Sequence, residues 1–262
     1  MPLNINLKKR VVIVTGVSSG IGLGVSRLFA RSGAIVAGCA RKADDSDEAK
    51  TFMNTIAEEG SEGMYVCCDV TSTDELEHFV NAVTERYGRI DVLVSNAGVN
   101  IFEGVGECSE ERWQYCMNLN LAAHWHLARL CQPWLEKSGK GVVLIMTSNH
   151  GYYTIPGCFP YNVAKTALRA VAQSMAIEWG PKIRAVAVAP GFIDTAGNDT
   201  WFNSFANPAA ERQRTVDMHP VKCLGTVDEV GALCVYLASD YARFISGTTV
   251  LMDGGRSALM QD

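Results

Sequence analysis

The feature that most limits the fold of this chain is a short apolar run that ends in a glycine cluster. The run extends from Arg10 to Thr15, and the residues TGVSSGIG follow at 15–22. A helix is predicted from there to about Ser32. A buried strand, a glycine turn and a helix are typical of a dinucleotide-binding site, because glycines let the backbone approach a pyrophosphate and the helix N-terminus attracts it. Taken alone, the cluster also fits a structural tight turn.

Further apolar runs recur along the chain and read as strands separated by helical patterns. They lie at Ala34–Cys39, Met64–Cys68, Asp91–Ser95, Gly141–Thr147, Ile183–Ala189 and Thr248–Met252. Strands and helices that alternate in this way predict a parallel sheet. We therefore expect a single α/β domain over residues 1–262, with a Rossmann-like, doubly wound sheet of about seven parallel strands and helices on both faces.

Polar residues mark where several helices begin. Ser72 with Glu75, and Thr226 with Glu229, have the spacing of a capping box. Ser109 is predicted to cap a long helix that runs to about residue 137. That helix contains Asn118 and Asn120, which are unfavourable inside a helix and therefore indicate a polar role there.

Composition excludes several classes of function. Of the 262 residues, 48% are hydrophobic and 19% are charged, as in a globular protein, and the net charge of −5 argues against a nucleic-acid or anionic-membrane partner. No apolar run approaches the length of a membrane span. The nine cysteines are odd in number and form no CxxC pair, which favours reduced thiols in a cytoplasmic protein. No metal site is expected, because His124 and His126 face different ways on a helix.

The end of the second predicted strand bears on cofactor choice. A carboxylate is usual there in proteins that bind NAD, whereas this chain has Arg41 and Lys42. Because a guanidinium suits a 2′-phosphate, we expect NADP, with NAD as the alternative. Asp44 and Asp45 follow closely and would weaken the positive potential.

The residues at 142–178 carry the strongest catalytic signal. Tyr161 and Lys165 are four apart, so on a helix they share one face. An ammonium group beside a phenol stabilises the phenolate, and we therefore expect the pKa of Tyr161 to fall from about 10 toward neutrality. Such a tyrosine can exchange a proton with an alcohol or a carbonyl. Ser148 follows an apolar run and could hydrogen-bond the reacting oxygen, although a solvated surface pair remains the alternative interpretation.

In their order along the chain, these motifs resemble the short-chain dehydrogenase/reductase family over nearly the whole sequence. Ser148 and Tyr161 are 13 positions apart, which is the family spacing. Ser95 departs from the family pattern, in which asparagine is common, and Ser19 stands where NADP-preferring members often carry a basic residue. The motifs that carry the resemblance are TGVSSGIG, Asp69-Val70, Asn96-Ala97-Gly98, Asn120, Ser148, Tyr161-x-x-x-Lys165 and Pro190-Gly191.

The resemblance implies a role for each matching residue. Tyr161 would be the general acid/base, Lys165 would lower its pKa and hold the nicotinamide ribose, Ser148 would position the substrate oxygen, and Asn120 would anchor a proton-relaying water. The residues expected to bind the cofactor are Gly16, Ser18, Ser19, Gly20, Ile21, Gly22, Arg41, Asp69, Val70, Asn96, Ala97, Gly98, Tyr161, Lys165, Pro190, Gly191, Ile193 and Thr195.

The substrate is less constrained than the reaction. Ser148-Asn149-His150 is similar to the glucose dehydrogenase branch, which implies a sugar or sugar alcohol contacted by Ser148, Asn149, His150 and Tyr161. A carbonyl or 3-oxoacyl reductase with the same catalytic residues is the alternative, and a non-catalytic nucleotide-sensing protein is the alternative outside enzymes. The residues at 193–224 are expected to form a substrate lid, whose aromatic side chains could equally cover a lipid-like or aryl ketone.

Members of the family usually assemble through long helices, so the resemblance implies a homotetramer or a homodimer. Small residues at Ala164, Ala167 and Ala170 would let such a helix approach another closely. The tail at 256–262 is a candidate to reach a neighbouring site. The lid carries Arg212 and Arg214, for which solvated positions are favoured over contact with an anionic substrate.

Overall fold

The computed structural model describes residues 5–259, and within them seven strands form one parallel sheet in the order β11-β8-β6-β4-β1-β2-β3. Two short pairs, β5 with β7 and β9 with β10, lie outside this sheet. The doubly wound parallel sheet predicted from the sequence is therefore confirmed. The strands are β1 (Val11–Thr15), β2 (Ile35–Ala40), β3 (Gly63–Cys67), β4 (Val92–Ser95), β5 (Phe102–Glu103), β6 (Gly141–Met146), β7 (Phe159–Pro160), β8 (Ile183–Pro190), β9 (Ile193–Asp194), β10 (Gly225–Thr226) and β11 (Thr248–Met252).

Helices connect the strands and cover both faces of the sheet. They are α1 (Gly20–Arg31), α2 (Asp47–Glu58), α3 (Thr73–Tyr87), α4 (Glu110–Met117), α5 (Ala123–Lys137), α6 (Tyr161–Trp179), α7 (Ala196–Phe202), α8 (Pro208–Asp217) and α9 (Val227–Ala238). No helix of the described residues is long and apolar enough to cross a membrane.

Helix N-termini follow the polar residues that mark them in the sequence. Thr226 and Glu229 form a complete capping box at α9. At α3 only half of the predicted box is present, because Ser72 accepts from the Glu75 N–H whereas the Glu75 carboxylate accepts from the Asp69 N–H at 2.7 Å. The carboxylate therefore holds the turn after β3 rather than the start of the helix.

The core is divided by the sheet into two layers, since successive side chains of a strand point to opposite faces. In β1, Val11 and Ile13 pack with α3, α5 and α6, whereas Val12 and Val14 pack with α1, α2 and α9. Because every strand of this sheet is parallel, all their carboxyl ends lie along one edge. The chain order reverses between β1 and β4, which is where doubly wound folds bind ligands.

The long helix predicted after Ser109 is interrupted. A π-helical turn at Asn118–Ala122 separates α4 from α5, and α5 then continues through Pro133. A π-helical turn contains one residue more than an α-helical turn and is frequent at functional sites. Both asparagines that the sequence marked as unusual lie in this turn.

The segment predicted as a lid leaves the sheet after β8 and contains α7 and α8. Its two ends are held together, because β9 pairs with β10 through Ile193↔Gly225 and Asp194↔Thr226. Its aromatic rings form a cluster with centroid distances of 4.9–5.7 Å, made of Phe192, Trp201, Phe202 and Phe205.

Both arginines of this segment form ion pairs within it, Arg212 with Asp194 and Arg214 with Glu211. Elsewhere, Ala164 is fully buried inside the chain, so it cannot bring α6 close to another subunit, whereas Ala170 is exposed. The end of the C-terminal tail, residues 260–262, lies outside the described residues.

Candidate active site

Tyr161 and Lys165 lie in the first turn of α6, at the carboxyl edge of the sheet. Both are buried, with 8% and 3% exposure. The Lys165 ammonium lies 5.5 Å from the centroid of the Tyr161 ring and donates to the carbonyl of Met146, at the end of β6, at 3.0 Å. The two residues are therefore adjacent in a dry site, and a solvated surface pair is excluded.

Burial sets the protonation of this pair in a way that the sequence does not predict. Desolvation raises the pKa of Tyr161 above its ordinary value of 10, and the nearby Ser148 hydroxyl offsets only part of the rise. The predicted fall in the pKa of Tyr161 is therefore wrong, because in this structure burial raises that pKa. The Lys165 ammonium lies over the Tyr161 ring and points to the carbonyl of Met146. Burial lowers the pKa of Lys165 to about 8. At neutral pH, Tyr161 is a neutral phenol and Lys165 is a cation.

Ser148 begins a tight turn that also carries Asn149 and His150. The Ser148 hydroxyl accepts from the His150 N–H at 3.1 Å and donates to the Asn149 side-chain oxygen at 3.3 Å. The His150 ring lies 6.3 Å from the Tyr161 ring, centroid to centroid. Burial lowers the pKa of His150 below its ordinary value, so this ring is neutral at neutral pH. The turn thus brings the predicted substrate residues to the phenol.

Asn120 lies in the π-helical turn and is fully buried. Its side chain binds the backbone of Val99 in both directions, accepting from the N–H and donating to the carbonyl, each at 3.1 Å. A Cβ atom built on Gly98 would lie 2.7 Å from the Asn120 oxygen and 3.4 Å from the Lys165 nitrogen. Gly98 is therefore needed where the loop after β4 passes between these two side chains.

The glycine turn after β1 has the shape of a phosphate cradle. Gly16 and Gly20 adopt left-handed conformations, with φ of +73° and +57°. A Cβ atom on Gly22 would lie 2.2 Å from the carbonyl oxygen of Gly16, so only glycine fits there. The N-cap residue Ser19 makes no side-chain cap, and the first turn of α1 has no acidic residue. Its amides and dipole are unopposed by a carboxylate, which fits the phosphates of a dinucleotide.

The loop after β4 is attached to the end of β1 beside this cradle. Thr15 Oγ1 accepts from the N–H groups of Asn96 and Ala97, both at 2.9 Å, and its carbonyl accepts from the Asn96 amide at 2.8 Å. Asp69 lies in the turn after β3 and accepts from the Thr71 N–H at 2.9 Å. Val70 is buried in the core layer that also holds α3 and α5.

On the other side of the cradle, Thr195 faces Gly20. A Cβ atom on Gly20 would lie 3.6 Å from the Thr195 methyl group. Ile193 is buried in β9, and Gly191 donates its N–H to Met252 at 2.9 Å, so β11 holds the turn after Pro190. The predicted cofactor residues from β1, β4 and β8 therefore surround one stretch of the sheet edge.

The tip of β2 presents an exposed Arg41. Lys42 forms an ion pair with Glu48 at 3.3 Å, and Asp44 accepts from the Cys67 N–H at 2.6 Å. The Asp44 carboxylate is therefore bound to the backbone of β3, and this hydrogen bond offsets part of its negative charge. A guanidinium at this position fits a 2′-phosphate.

Three residues around the site have no signal in the sequence. Phe102 lies with its ring centroid 5.4 Å from that of Tyr161. Cys116 is fully buried and accepts from the Asn120 amide at 3.5 Å. Arg169, one helical turn after Lys165, donates to the carbonyl of Gly151 at 2.8 Å and thereby holds the Ser148 turn. All three come from tertiary contacts, which residue spacing does not encode.

A doubly wound sheet with a glycine cradle at its switch point and a buried tyrosine–lysine pair beside it defines a class of dinucleotide-dependent oxidoreductases. A family model described as enoyl-(acyl carrier protein) reductase matches residues 16–257. The Sus scrofa protein named dehydrogenase/reductase SDR family member 4 is 32% identical over 255 residues, covering 96% of this chain and 88% of that protein. This chain belongs to the short-chain dehydrogenase/reductase family. It is an NAD(P)-dependent oxidoreductase that acts on CH–OH or carbonyl groups.

Two solved structures are similar over nearly their whole length. The aldohexose dehydrogenase of Thermoplasma acidophilum is 25% identical, with a TM-score of 0.88 and coverage of 98% of this chain and 97% of that one. Levodione reductase is 27% identical, with a TM-score of 0.90 and coverage of 97% and 99%. The first is named for a sugar and the second for a diketone, so the fold does not select between these substrate types.

Proposed function

We propose that this protein is an NADP-linked oxidoreductase that interconverts a secondary alcohol and a ketone, with Tyr161 as its general acid/base. The observation that carries the proposal is the dry grouping of Tyr161, Lys165 and Ser148 at the carboxyl edge of the sheet, beside the glycine cradle. A buried phenol with a perturbed pKa in such a position is what proton transfer to a substrate oxygen requires.

In the direction of reduction, the hydroxyl groups of Ser148 and Tyr161 hold the carbonyl oxygen of the substrate. A nicotinamide dinucleotide, when bound, supplies two electrons as hydride. Tyr161 gives its proton to the oxygen, which it can do because burial keeps the phenol protonated at neutral pH. In oxidation, the same proton returns from the alcohol to Tyr161.

Lys165 and Asn120 support this transfer. The Lys165 ammonium, 5.5 Å from the centroid of the phenol ring, stabilises the negative charge that appears when Tyr161 gives up its proton. Asn120 lies across Gly98 from Lys165, and we assign it to the path by which the site recovers a proton. Lys165 would also hold the nicotinamide ribose.

The cofactor is assigned to the sheet edge between β1 and β4. The glycine cradle would hold its phosphates, and Arg41 would bind the 2′-phosphate, which would make NADP the preferred form over NAD. The other residues assigned to the cofactor are Ser18, Ser19, Ile21, Asp69, Val70, Asn96, Ala97, Gly98, Pro190, Gly191, Ile193 and Thr195.

The substrate that we propose first is a sugar or sugar alcohol. Asn149 and His150 offer neutral hydrogen-bonding groups beside the phenol, and an aldohexose dehydrogenase is among the similar structures. The second candidate is a ketone with fewer hydroxyl groups, and a levodione reductase is among the similar structures. It is favoured by the aromatic rings of the lid and by Phe102.

The same proposal covers the organisation of the protein. Residues 1–262 act as one catalytic domain, with the residues at 193–224 as a lid. We propose a homotetramer or homodimer, supported by exposed apolar side chains such as Ile177 on α6, which is 81% exposed. The nine free thiols favour a cytoplasmic location.

The acid/base assignment is tested by replacing Tyr161 with phenylalanine and following absorbance of the reduced nicotinamide with sugars, polyols and ketones. We expect a loss of at least about 100-fold in kcat, the contribution typical of a general acid. Tyr241→Phe is the matched control, since Tyr241 is 55% exposed. Unchanged turnover in Tyr161→Phe would refute the assignment.

The cofactor assignment is tested separately with Arg41→Asp. The carboxylate should repel the 2′-phosphate and shift the ratio of kcat/KM from NADP toward NAD by at least about tenfold. Arg243→Asp, an equally exposed change, should leave the ratio unaltered. An unshifted preference in Arg41→Asp would exclude Arg41 from the phosphate site.

A further inference from the structure

Three aromatic rings meet at the proposed acid/base. The Phe102 ring lies 5.4 Å from the Tyr161 ring at an interplanar angle of 75°, and 5.8 Å from the His150 ring at 70°. These are edge-to-face contacts, which aromatic pairs favour. We call Phe102, His150 and Tyr161 the three-ring cluster. Each ring contacts the other two, and Phe102 is the one member whose side chain has no polar atom.

A short strand pair between distant parts of the chain places Phe102 here. In the antiparallel pair of β5 and β7, Phe102 is opposite Pro160, the residue before Tyr161. The next pair in the register is Glu103 with Phe159, and the Glu103 carboxylate accepts a hydrogen bond from Arg112 at 2.6 Å. The backbone that carries the ring is therefore attached to the start of α6, next to the phenol.

Despite these contacts, Phe102 keeps much of its surface open. It is 46% exposed, whereas Tyr161 beside it is 8% exposed. The ring packs edge-to-face against the phenol, and the rest of its apolar surface is open. A single exposed apolar ring is ordinary on a surface. One that is fixed against a catalytic phenol is placed to contact what the phenol acts on.

The nearby charges do not offer an alternative means of recognition. Glu103 is neutralised by Arg112, and Asp194 at the base of the lid is neutralised by Arg212. The lid adds its own exposed rings, Trp201 at 40% exposure and Phe205 at 38%. The rings shown against Tyr161 are those of Phe102 and His150, while these two carboxylates are already paired.

We propose that Phe102 is a specificity-determining residue that receives the apolar face of a ring-bearing substrate. The preferred substrates are cyclic or aryl secondary alcohols and ketones, including the C–H face of a sugar ring, over their open-chain counterparts. This inference rests on the proposed function, because it takes Tyr161 as the group that meets the reacting oxygen. Removing one apolar contact from such a site changes discrimination by about 10- to 200-fold.

The test compares two matched substrate pairs, each a ring and an open-chain counterpart: cyclohexanone with 3-hexanone, and glucose with sorbitol. In Phe102→Ala, kcat/KM for the ring member should fall by about tenfold or more, mainly through KM, and that for the open-chain member should change by less than about threefold. Phe102→Trp keeps a ring and should keep the preference. Phe244→Ala, which removes a fully exposed phenylalanine, is the control and should change neither.

The outcomes are distinct. Equal losses for both members in Phe102→Ala would mean that Phe102 only supports Tyr161, and a preserved ring preference would mean that it does not meet the substrate; either overturns the inference. Wild-type protein that turns over only open-chain members overturns it as well. Wild-type protein that turns over no member of either pair contradicts the proposed function on which the inference rests. Thermal unfolding of Phe102→Ala, compared with that of Phe244→Ala, detects a loss of fold.

Discussion

Replacing Lys165 with methionine should stabilise the fold at neutral pH while it abolishes the reaction. The side chain is 3% exposed, and burial lowers its pKa from 10.5 to about 8. The difference between those values corresponds to about 3 kcal/mol of unfavourable free energy for the buried ammonium. Loss of the hydrogen bond to Met146 lowers the free energy of unfolding of the variant by about 1–2 kcal/mol. The variant should therefore be more stable than wild type by about 1–2 kcal/mol at pH 7.

The pH dependence of this gain identifies its cause. Because the pKa of Lys165 is lower in the folded state than in the unfolded state, the unfavourable free energy of the buried ammonium is absent above pH 10.5, grows as pH falls, and is complete below about 8. The free energy of unfolding of wild type should therefore rise relative to that of Lys165→Met between those two values. Urea unfolding at several pH values measures both quantities, provided that both proteins unfold in two states.

A surface lysine provides the control. Lys50→Met removes a side chain that is 63% exposed and lies 3.6 Å from Asp47, so it should change stability by less than about 1 kcal/mol at every pH. A Lys165→Met protein that is less stable than wild type at pH 7 would refute the reasoning. So would a difference between the two proteins that stays constant from pH 8 to 10.5.

Three further predictions follow from the site. Since burial raises the pKa of Tyr161 and lowers that of Lys165 to about 8, kcat/KM for ketone reduction should be level below that pH and fall above it, which initial rates will show. Gly22→Ala should lose nucleotide binding in a fluorescence titration with NADPH, because its Cβ would lie 2.2 Å from a carbonyl oxygen of the same loop; a variant that binds normally would contradict this. Ser95→Ala should cost about 1–3 kcal/mol in urea unfolding, because it leaves the buried His124 without its partner at 2.8 Å, and a smaller loss would show that solvent replaces the hydroxyl.

The parts of the fold that could be predicted from the sequence are those set by local patterns. Continuous apolar runs predicted the strands of the main sheet to within about two residues, as expected for parallel strands that are buried on both faces. The capping box at Thr226 and the glycine turn at 16–22 are likewise local, since backbone geometry at such points depends on a few adjacent residues. The adjacency of Tyr161 and Lys165 was predicted from their spacing on one helix face.

What could not be predicted depends on burial and on contacts between distant segments. The pKa of Tyr161 follows from how much water the fold removes from the phenol, and residue spacing gives only the neighbouring charge. Phe102 meets Tyr161 through a strand of two residues, which is too short to carry a periodic signal. The carboxylate of Glu75 serves the preceding turn rather than its own helix cap, because the chain folds back at Asp69.

The π-helical turn at Asn118–Ala122 has a consequence for how the protein can vary. It accommodates one surplus residue, and each residue of an α-helix turns the chain by about 100°. A deletion of one residue there would restore a regular helix and improve its local geometry. It would also rotate Asn120 relative to the helical residues that follow, so that its side chain no longer faces Val99. Given the role proposed for Asn120, a deletion that makes this helical segment more regular should therefore make the enzyme inactive.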